Sequence, residues 1–115
     1  MKIVKARWNG LCEACERHFG ADGLDAHHVF GRGNQIRRKY ADMPALIAPL
    51  CRECHDEVTA NPRCRKAELL KRWAAQRFCR AMGVDRNVGV FEQGPTPLQV
   101  VRGVIRYLDE QQEAA

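Results

Sequence analysis

Two short apolar segments in the first half of the chain predict β-strands. Leu24 to Phe30 shows partial alternation of apolar and polar residues, and Leu46 to Leu50 is a short apolar run. A further strand is expected around Ile3 to Trp8, ahead of these two segments. Arg52 to Ala60 starts just after the second segment and is predicted to be a helix. The first half therefore predicts two strands and a helix in close succession.

The second half of the chain carries helical periodicity. Between Arg63 and Met82, apolar residues recur at near-helical spacing, while lysine and arginine fill the other face. Asn61-Pro62 is expected to end the preceding helix, and proline is also favoured at the start of the next one. Gly83 is expected to end the long helix, because glycine is favoured just after the last helical turn. Leu98 to Gln112 is predicted to form a final amphipathic helix.

The chain length of 115 residues fits a single domain. We expect an α+β fold with a compact core over residues 1–62 and a helical extension over residues 63–115 packed on that core. No apolar run approaches the length of a membrane span, and the N-terminal stretch lacks the apolar segment of a signal peptide. We therefore expect the protein to be cytoplasmic, to have no membrane partner and to be a monomer.

The net charge of +5 favours a polyanion such as nucleic acid as a partner. Basic residues are concentrated in two segments, residues 32–39 and 63–80, whereas the C-terminal stretch is more acidic. Helix-surface charge that only promotes solubility explains the same composition about equally well. Charge alone therefore leaves the partner open.

Four of the six cysteines form two CxxC motifs, Cys12 with Cys15 and Cys51 with Cys54. In a reducing compartment, paired CxxC motifs bind metal more often than they form disulfides. Each motif brings two thiolates together, and four sulfurs suit tetrahedral Zn²⁺. We predict a structural four-cysteine zinc site; redox-active pairs or buried free thiols are the alternatives. Cys64 and Cys79, on the predicted long helix, are expected to be free and mostly buried.

Two other interpretations of these cysteines fit less well. Cys12, Cys15 and His28 match the opening of a two-cysteine, two-histidine zinc finger, but residues 32–34 contain no closing histidine. Cys51 to His55 matches a c-type haem attachment motif. Haem attachment normally needs export, and no export signal is visible in the sequence.

Three histidines accompany the predicted zinc site. His27 and His28 are adjacent in the first predicted strand, and His55 directly follows the last CxxC cysteine. Because adjacent strand residues point to opposite faces, His27 and His28 must have different roles. If each histidine is considered singly, an ordinary polar residue without a functional role is a sufficient explanation. Together with the zinc scaffold and a basic loop, the three indicate a functional site.

These motifs, taken in order, resemble the HNH endonucleases, also called His-Me finger or ββα-metal endonucleases. The resemblance rests on the first CxxC, on Ala26-His27-His28-Val29, and on Leu50-Cys51-x-x-Cys54-His55. It is strongest to the small stand-alone HNH nicking enzymes that carry a four-cysteine zinc site, and it covers residues 10–62. The resemblance implies a small ββα-metal core followed by C-terminal helices, and a metal-dependent DNA endonuclease that nicks with low sequence specificity.

The resemblance also implies a role for each histidine. His28 would be the general base, and His27 and His55 would be the protein ligands of one divalent ion at the scissile phosphate. A neutral imidazole can take a proton from water near neutral pH, and a divalent ion can polarise the phosphate. Imidazole ligands favour Mn²⁺ over Mg²⁺. We therefore expect better activity with Mn²⁺ than with Mg²⁺.

The chain departs from the family at the middle asparagine, which holds the general base in place. Leu46 occupies the corresponding position, so the anchoring hydrogen bond must come from Asp42, Asn34 or the backbone. This departure favours an alternative function, a non-catalytic zinc-containing module that binds nucleic acid. A structural zinc protein whose helices dock a partner protein is a third interpretation.

A cluster of basic residues after the first strand is predicted to contact DNA phosphates. Such contacts give salt-dependent affinity that is largely independent of sequence. The predicted DNA-binding residues are Arg32, Arg37, Arg38 and Lys39.

Overall fold

The structure is a computed structural model that describes residues 9–20, 23–31, 36, 38–84 and 96–114. The strand predicted around Ile3 to Trp8 lies outside these residues. In chain order, the elements are β1 (Asp25–His28), α1 (Arg38–Ala41), a 3-10 turn (Pro44–Leu46), β2 (Ile47–Leu50), α2 (Arg52–Ala60), α3 (Arg65–Ala81) and α4 (Pro97–Ala114). The predicted α+β class is confirmed, and the two strands are followed by a helix as expected.

The two strands form an antiparallel pair in which His27 lies opposite Ala48 and His28 lies opposite Ile47. β1 is shorter than the sequence predicts, because Val29 and Phe30 already turn away from the strand. Pro49 is tolerated in β2 because a strand in a two-stranded sheet has a free edge. The strand pair thus places two adjacent histidines on opposite faces of one short ribbon.

The two long helices begin at residues whose side chains cap them. Cys64 precedes α3, and its sulfur accepts a hydrogen bond from Ala67 N at 3.4 Å. The helix therefore starts at Arg65, two residues later than predicted. Thr96 precedes α4 and exchanges two hydrogen bonds with Gln99, which is a capping box. Gly83 has a φ of 68° and ends α3 as expected.

One hydrophobic core joins the strands to the C-terminal helices. α3 packs against α4, the 3-10 turn and β2. The largest fully buried side chains come from all these parts: Phe78, Leu24, Leu46, Leu50, Leu70, Val101 and Val104. Full burial of each such side chain stabilises the fold by about 1.5–3 kcal/mol. The helical extension is therefore part of the packing that holds the strands in place.

The short helix α1 and the 3-10 turn were not predicted. α1 contains only four residues, and Tyr40 within it packs edge-on against Phe78 of α3, with ring centroids 6.1 Å apart. Tertiary packing, which sequence periodicity does not reveal over four residues, accounts for this helix.

Across the described residues, no helix combines the length and apolar character needed to cross a bilayer.

Candidate metal centre and histidine site

The sulfur atoms of the two CxxC motifs converge on one point. All four lie within 4.8 Å of one another, and Cys15 Sγ is 3.9 Å from Cys51 Sγ. Tetrahedral coordination with Zn–S bonds of about 2.3 Å would separate the sulfurs by about 3.8 Å. The predicted convergence is confirmed, and the four cysteines can bind a metal ion such as zinc. Cys64 and Cys79 lie outside this group; Cys79 is buried and Cys64 is half-buried.

A tight turn forms the first CxxC motif. Glu16 N donates to Cys12 O at 2.8 Å, and Glu16 itself has a φ of 61°. Gly10 has a φ of 82°, and a Cβ there would lie 2.7 Å from His18 Nε2, so only glycine fits. Glu13 N donates to Pro49 O at 2.8 Å, which attaches this turn to β2.

The second CxxC motif coincides with the start of α2. Cys51 is the N-cap residue and Cys54 lies in the first turn, so their side chains share one side of the helix. His55 N donates to Cys51 O at 2.9 Å. The helix start therefore fixes two sulfurs and His55 together.

The ionisation of the thiols fits a cation-binding site. Burial would raise the pKa of Cys15, but hydrogen bonds from the Arg17 side chain and backbone and from neighbouring thiols lower this pKa to about 6. Burial and the neighbouring cysteines raise the pKa of Cys54 instead. Near neutral pH, Cys15 is therefore a thiolate, whereas Cys54 keeps its proton. A cation that binds all four sulfurs must therefore displace protons.

His27 and His55 face each other beside this cluster, as predicted. Their ring centroids are 5.3 Å apart, with the rings edge to face. Asp25 Oδ2 lies 3.1 Å from His55 Nδ1. With Nδ1–H donating to the carboxylate, the lone pair of His55 Nε2 is left for a metal ion. Arg52 Nε is 3.4 Å from the same Asp25 oxygen, so the carboxylate is held from two sides.

Asp25 is a candidate site residue that the sequence analysis missed. It stands two positions before His27, so both side chains lie on the same face of β1. The i, i+2 spacing of a carboxylate and a histidine in a predicted strand was the available signal. Its partner His55, thirty residues away, becomes apparent only from the fold.

His27 is held in the neutral form. Burial, followed by the charges of His55, His28 and Lys71, lowers the pKa of His27 to about 4. At neutral pH its imidazole therefore carries a lone pair, which is the form that coordinates a metal ion. Two imidazole side chains this close together, His27 and His55, fit a divalent first-row ion.

His28 points to the other face of β1 and contacts Asp42. His28 Nε2 is 2.9 Å from Asp42 Oδ1, and the two side chains are 16% and 14% exposed. A carboxylate that accepts from Nε2–H leaves the lone pair on Nδ1. The sequence analysis left three candidates for the hydrogen bond that anchors His28: Asp42, Asn34 or the backbone. In the structure, Asp42 makes this hydrogen bond. Asn34 lies outside the described residues, and Leu46 is a core residue, 1% exposed.

The histidine site has few protein ligands. Within the part of the chain that the structure describes, the cysteines are the only group of three or more potential ligands whose donor atoms converge. An ion between His27 and His55 would therefore have two imidazole ligands and several open positions. Open positions are a property of catalytic metal sites, whereas four protein ligands are typical of structural ones.

The predicted DNA-binding residues are only partly described. Lys39 lies on α1, is exposed, and places its Nζ 4.9 Å from the centroid of the Tyr40 ring. Arg38 begins α1. Arg32 and Arg37 lie outside the described residues, so the predicted cluster is seen only at its C-terminal end.

Comparisons with protein-family models, with curated proteins and with solved structures found no match to this chain. The resemblance to the HNH endonucleases therefore rests on the sequence motifs alone.

Proposed function

We propose that this protein is a metal-dependent DNA endonuclease with a ββα-metal core. The observation that carries the proposal is the arrangement around β1. His27 and His55 lie together on one face, with His55 oriented by Asp25, and the adjacent His28 is held by Asp42 on the other face. Adjacent residues of one strand can thus serve as metal ligand and proton acceptor at a single phosphate.

In the proposed mechanism, His28 accepts a proton from the attacking water at Nδ1, while Asp42 accepts a hydrogen bond from Nε2–H and stabilises the imidazolium that forms. Asp25 keeps His55 in the tautomer that exposes Nε2. His27 and His55 would hold a divalent ion such as Mn²⁺ or Mg²⁺, which supplies Lewis acidity to the phosphate and the leaving oxygen.

We infer that the ion held by the cysteines is Zn²⁺ and that its role is structural. Four sulfur ligands fill a tetrahedral shell and leave no position for substrate. The same ion would hold the start of α2, and with it His55, against the strand pair. This inference separates the two metal sites by ligand chemistry, sulfur for the structural ion and imidazole for the catalytic ion.

DNA is the proposed partner because several exposed basic side chains have no acidic partner among the described residues. Other cations are engaged, for example Arg17 with Glu53 at 3.3 Å. The unpaired exposed arginines are Arg63, Arg65, Arg80, Arg102 and Arg106. A surplus of unpaired positive charge supports binding to a phosphate backbone, mainly without sequence readout.

A plasmid-nicking assay tests the proposal. Purified protein with Mn²⁺ should convert supercoiled to open-circular plasmid, and EDTA should stop the conversion. His28→Ala should lower the nicking rate by at least about 100-fold while DNA binding and zinc content stay unchanged. His18→Ala is the matched control, because His18 is exposed and distant from Asp42 in sequence. Full activity of the His28 variant would exclude the proposed mechanism.

A second candidate is a non-catalytic, zinc-containing module that binds nucleic acid. The observation that favours it is Leu46, a core side chain at the position of the family's polar anchor. This candidate predicts salt-dependent DNA binding with no nicking by any divalent ion, and equal binding by wild type and His28→Ala. The same plasmid assay therefore decides between the two candidates.

A further inference from the structure

Helix α3 reaches the sulfur cluster through a lysine near its start. Lys66 Nζ lies 3.6 Å from Cys54 Sγ and 2.5 Å from Glu57 Oε2. Glu57 belongs to α2, as does Cys54, so the ammonium bridges a carboxylate and a sulfur of one helix. The bridge connects the segment that resembles the HNH family to the helices that follow it.

The same helix reaches the first CxxC motif near its other end. Arg77 Nη1 lies 2.7 Å from Glu13 Oε1, and Glu13 stands between Cys12 and Cys15. Arg77 Nε also donates to Ala45 O at 3.1 Å. The two side chains of this ion pair are 33% and 19% exposed, so the contact is largely shielded from solvent. Eleven residues separate Lys66 from Arg77, which corresponds to about 16 Å along the helix axis.

The charge of the metal centre explains why such contacts matter. A divalent ion with four thiolates carries a formal charge of −2, and burying that charge is costly unless cations offset it. Lys66 is a cation at hydrogen-bonding distance from one of the sulfurs. Groups outside the coordination shell that donate to metal ligands typically change metal affinity by about 10–100-fold.

We propose that α3 is an integral part of the cysteine metal centre. Lys66 is the counter-charge of the Cys54 thiolate, and Arg77 fixes the turn that carries Cys12 and Cys15. Metal retention by the cysteines therefore depends on a helix that supplies no metal ligand. This proposal concerns the metal centre alone and holds whether or not the protein cleaves DNA.

Lys71 provides a matched control for Lys66. It lies on the same helix, is exposed to a similar degree (26% against 29%) and also pairs with a glutamate, Glu68 at 3.4 Å. Its ammonium donates to Glu68 Oε1 and to Pro62 O, and neither acceptor is a sulfur. Removing either ammonium therefore costs one lysine–glutamate ion pair, but only the change at Lys66 removes a donor from a metal ligand.

The test measures transfer of zinc from the loaded full-length protein to a coloured chelator, followed by absorbance. Lys66→Met should release zinc about tenfold faster than wild type, whereas Lys71→Met should release it at the wild-type rate. Lys66→Arg keeps the charge and the donors, and should also match wild type. Equal release rates for the Lys66→Met and Lys71→Met proteins would overturn the proposal, and so would failure of wild type to bind one equivalent of zinc.

Arg77 is tested in the same assay with Arg80 as its control. Arg77→Met should release zinc faster than wild type, and Arg80→Met should not, because Arg80 is exposed near the end of the same helix without an acidic partner among the described residues. If Lys66→Met does not fold, as judged by circular dichroism, Glu57→Ala replaces it. That variant removes the acceptor that anchors the Lys66 ammonium and should still accelerate release. An unchanged rate would refute the role of Lys66.

Discussion

Asp42→Ala removes the one described side chain that holds the proposed general base. The hydrogen bond it breaks joins Asp42 Oδ1 to His28 Nε2 at 2.9 Å, between two largely buried side chains. When His28 takes a proton from water, its imidazole becomes positive, and the carboxylate then makes a charge-assisted hydrogen bond. Without Asp42, that positive charge loses its stabilising partner and the ring loses its fixed tautomer.

The size of the effect follows from the strength of that hydrogen bond. A hydrogen bond to a charged group contributes about 1.5–3 kcal/mol. Since about 1.4 kcal/mol corresponds to a tenfold change in rate, Asp42→Ala should lower kcat by about 10–150-fold. KM for DNA should hardly change, because Asp42 is mostly buried and its carboxylate pairs with His28.

The assay is steady-state nicking of supercoiled plasmid at saturating Mn²⁺, with kcat and KM measured separately. Asp42→Asn is the informative companion, because its amide oxygen can still accept from Nε2–H but carries no charge. We expect the order wild type, Asp42→Asn, Asp42→Ala from fastest to slowest. A kcat of wild-type size in Asp42→Ala would refute the role of Asp42, and a loss confined to KM would show that Asp42 acts on DNA binding instead.

Three further predictions concern the same region. The pKa of His27 is lowered to about 4, so between pH 6.5 and 4 the unfolded chain binds a proton on this residue and the folded protein does not; metal-free protein should therefore lose stability as the pH falls through this window. Urea unfolding at pH 7 and pH 4.5 should show a smaller loss of stability in His27→Gln than in wild type. Equal losses in the two proteins would contradict the lowered pKa of His27. His27→Asp should shift the preference of nicking from Mn²⁺ towards Mg²⁺, since a carboxylate replaces an imidazole ligand, and an unchanged metal ratio would argue against His27 as a ligand. Arg77→Met leaves the Glu13 carboxylate buried without its cation and should lower the free energy of unfolding by about 1–3 kcal/mol, less than for a fully buried pair. Adding Glu13→Gln to the Arg77→Met protein should restore part of this loss. No restoration would mean that the unpaired Glu13 carboxylate is not the cause of the loss.

The sequence predicted the elements whose signal is local. Arg52–Ala60 appears with the predicted bounds, because it begins directly after a CxxC motif and ends at Asn61-Pro62. The long helix was predicted from its apolar spacing, and only its start differs, since Cys64 is used as the cap. The convergence of the two CxxC motifs also followed from their matched spacing and chemistry. In each case, the information lies within short motifs, even where the two CxxC motifs themselves are 36 residues apart.

The polar contacts of the histidines could be predicted only in part, because their partners are distant in sequence. Asp25 pairs with His55 across thirty residues, and no spacing rule connects a strand carboxylate to the first turn of a helix that follows a second strand. Asp42 was one of three alternatives for anchoring His28, and the 3-10 turn that follows it was not expected. Long-range pairing of this kind depends on how the strand register places each side chain, and a shift of one residue would reverse every face.

The junction between β2 and α2 couples the two proposed metal sites. Leu50 is buried in the core, Cys51 and Cys54 supply two sulfurs, and His55 follows at once, all within six consecutive residues. His55 cannot move relative to Cys54 without unwinding the first turn of α2, where His55 N is bonded to Cys51 O. Loss of the ion from the cysteines should therefore displace His55 from Asp25 and His27 as well. In the proposed mechanism, His55 must hold its position within a fraction of an ångström, and the neighbouring cysteine centre would fix it there without taking part in the chemistry. This coupling would explain how so small a core could support the proposed ion with only two protein ligands.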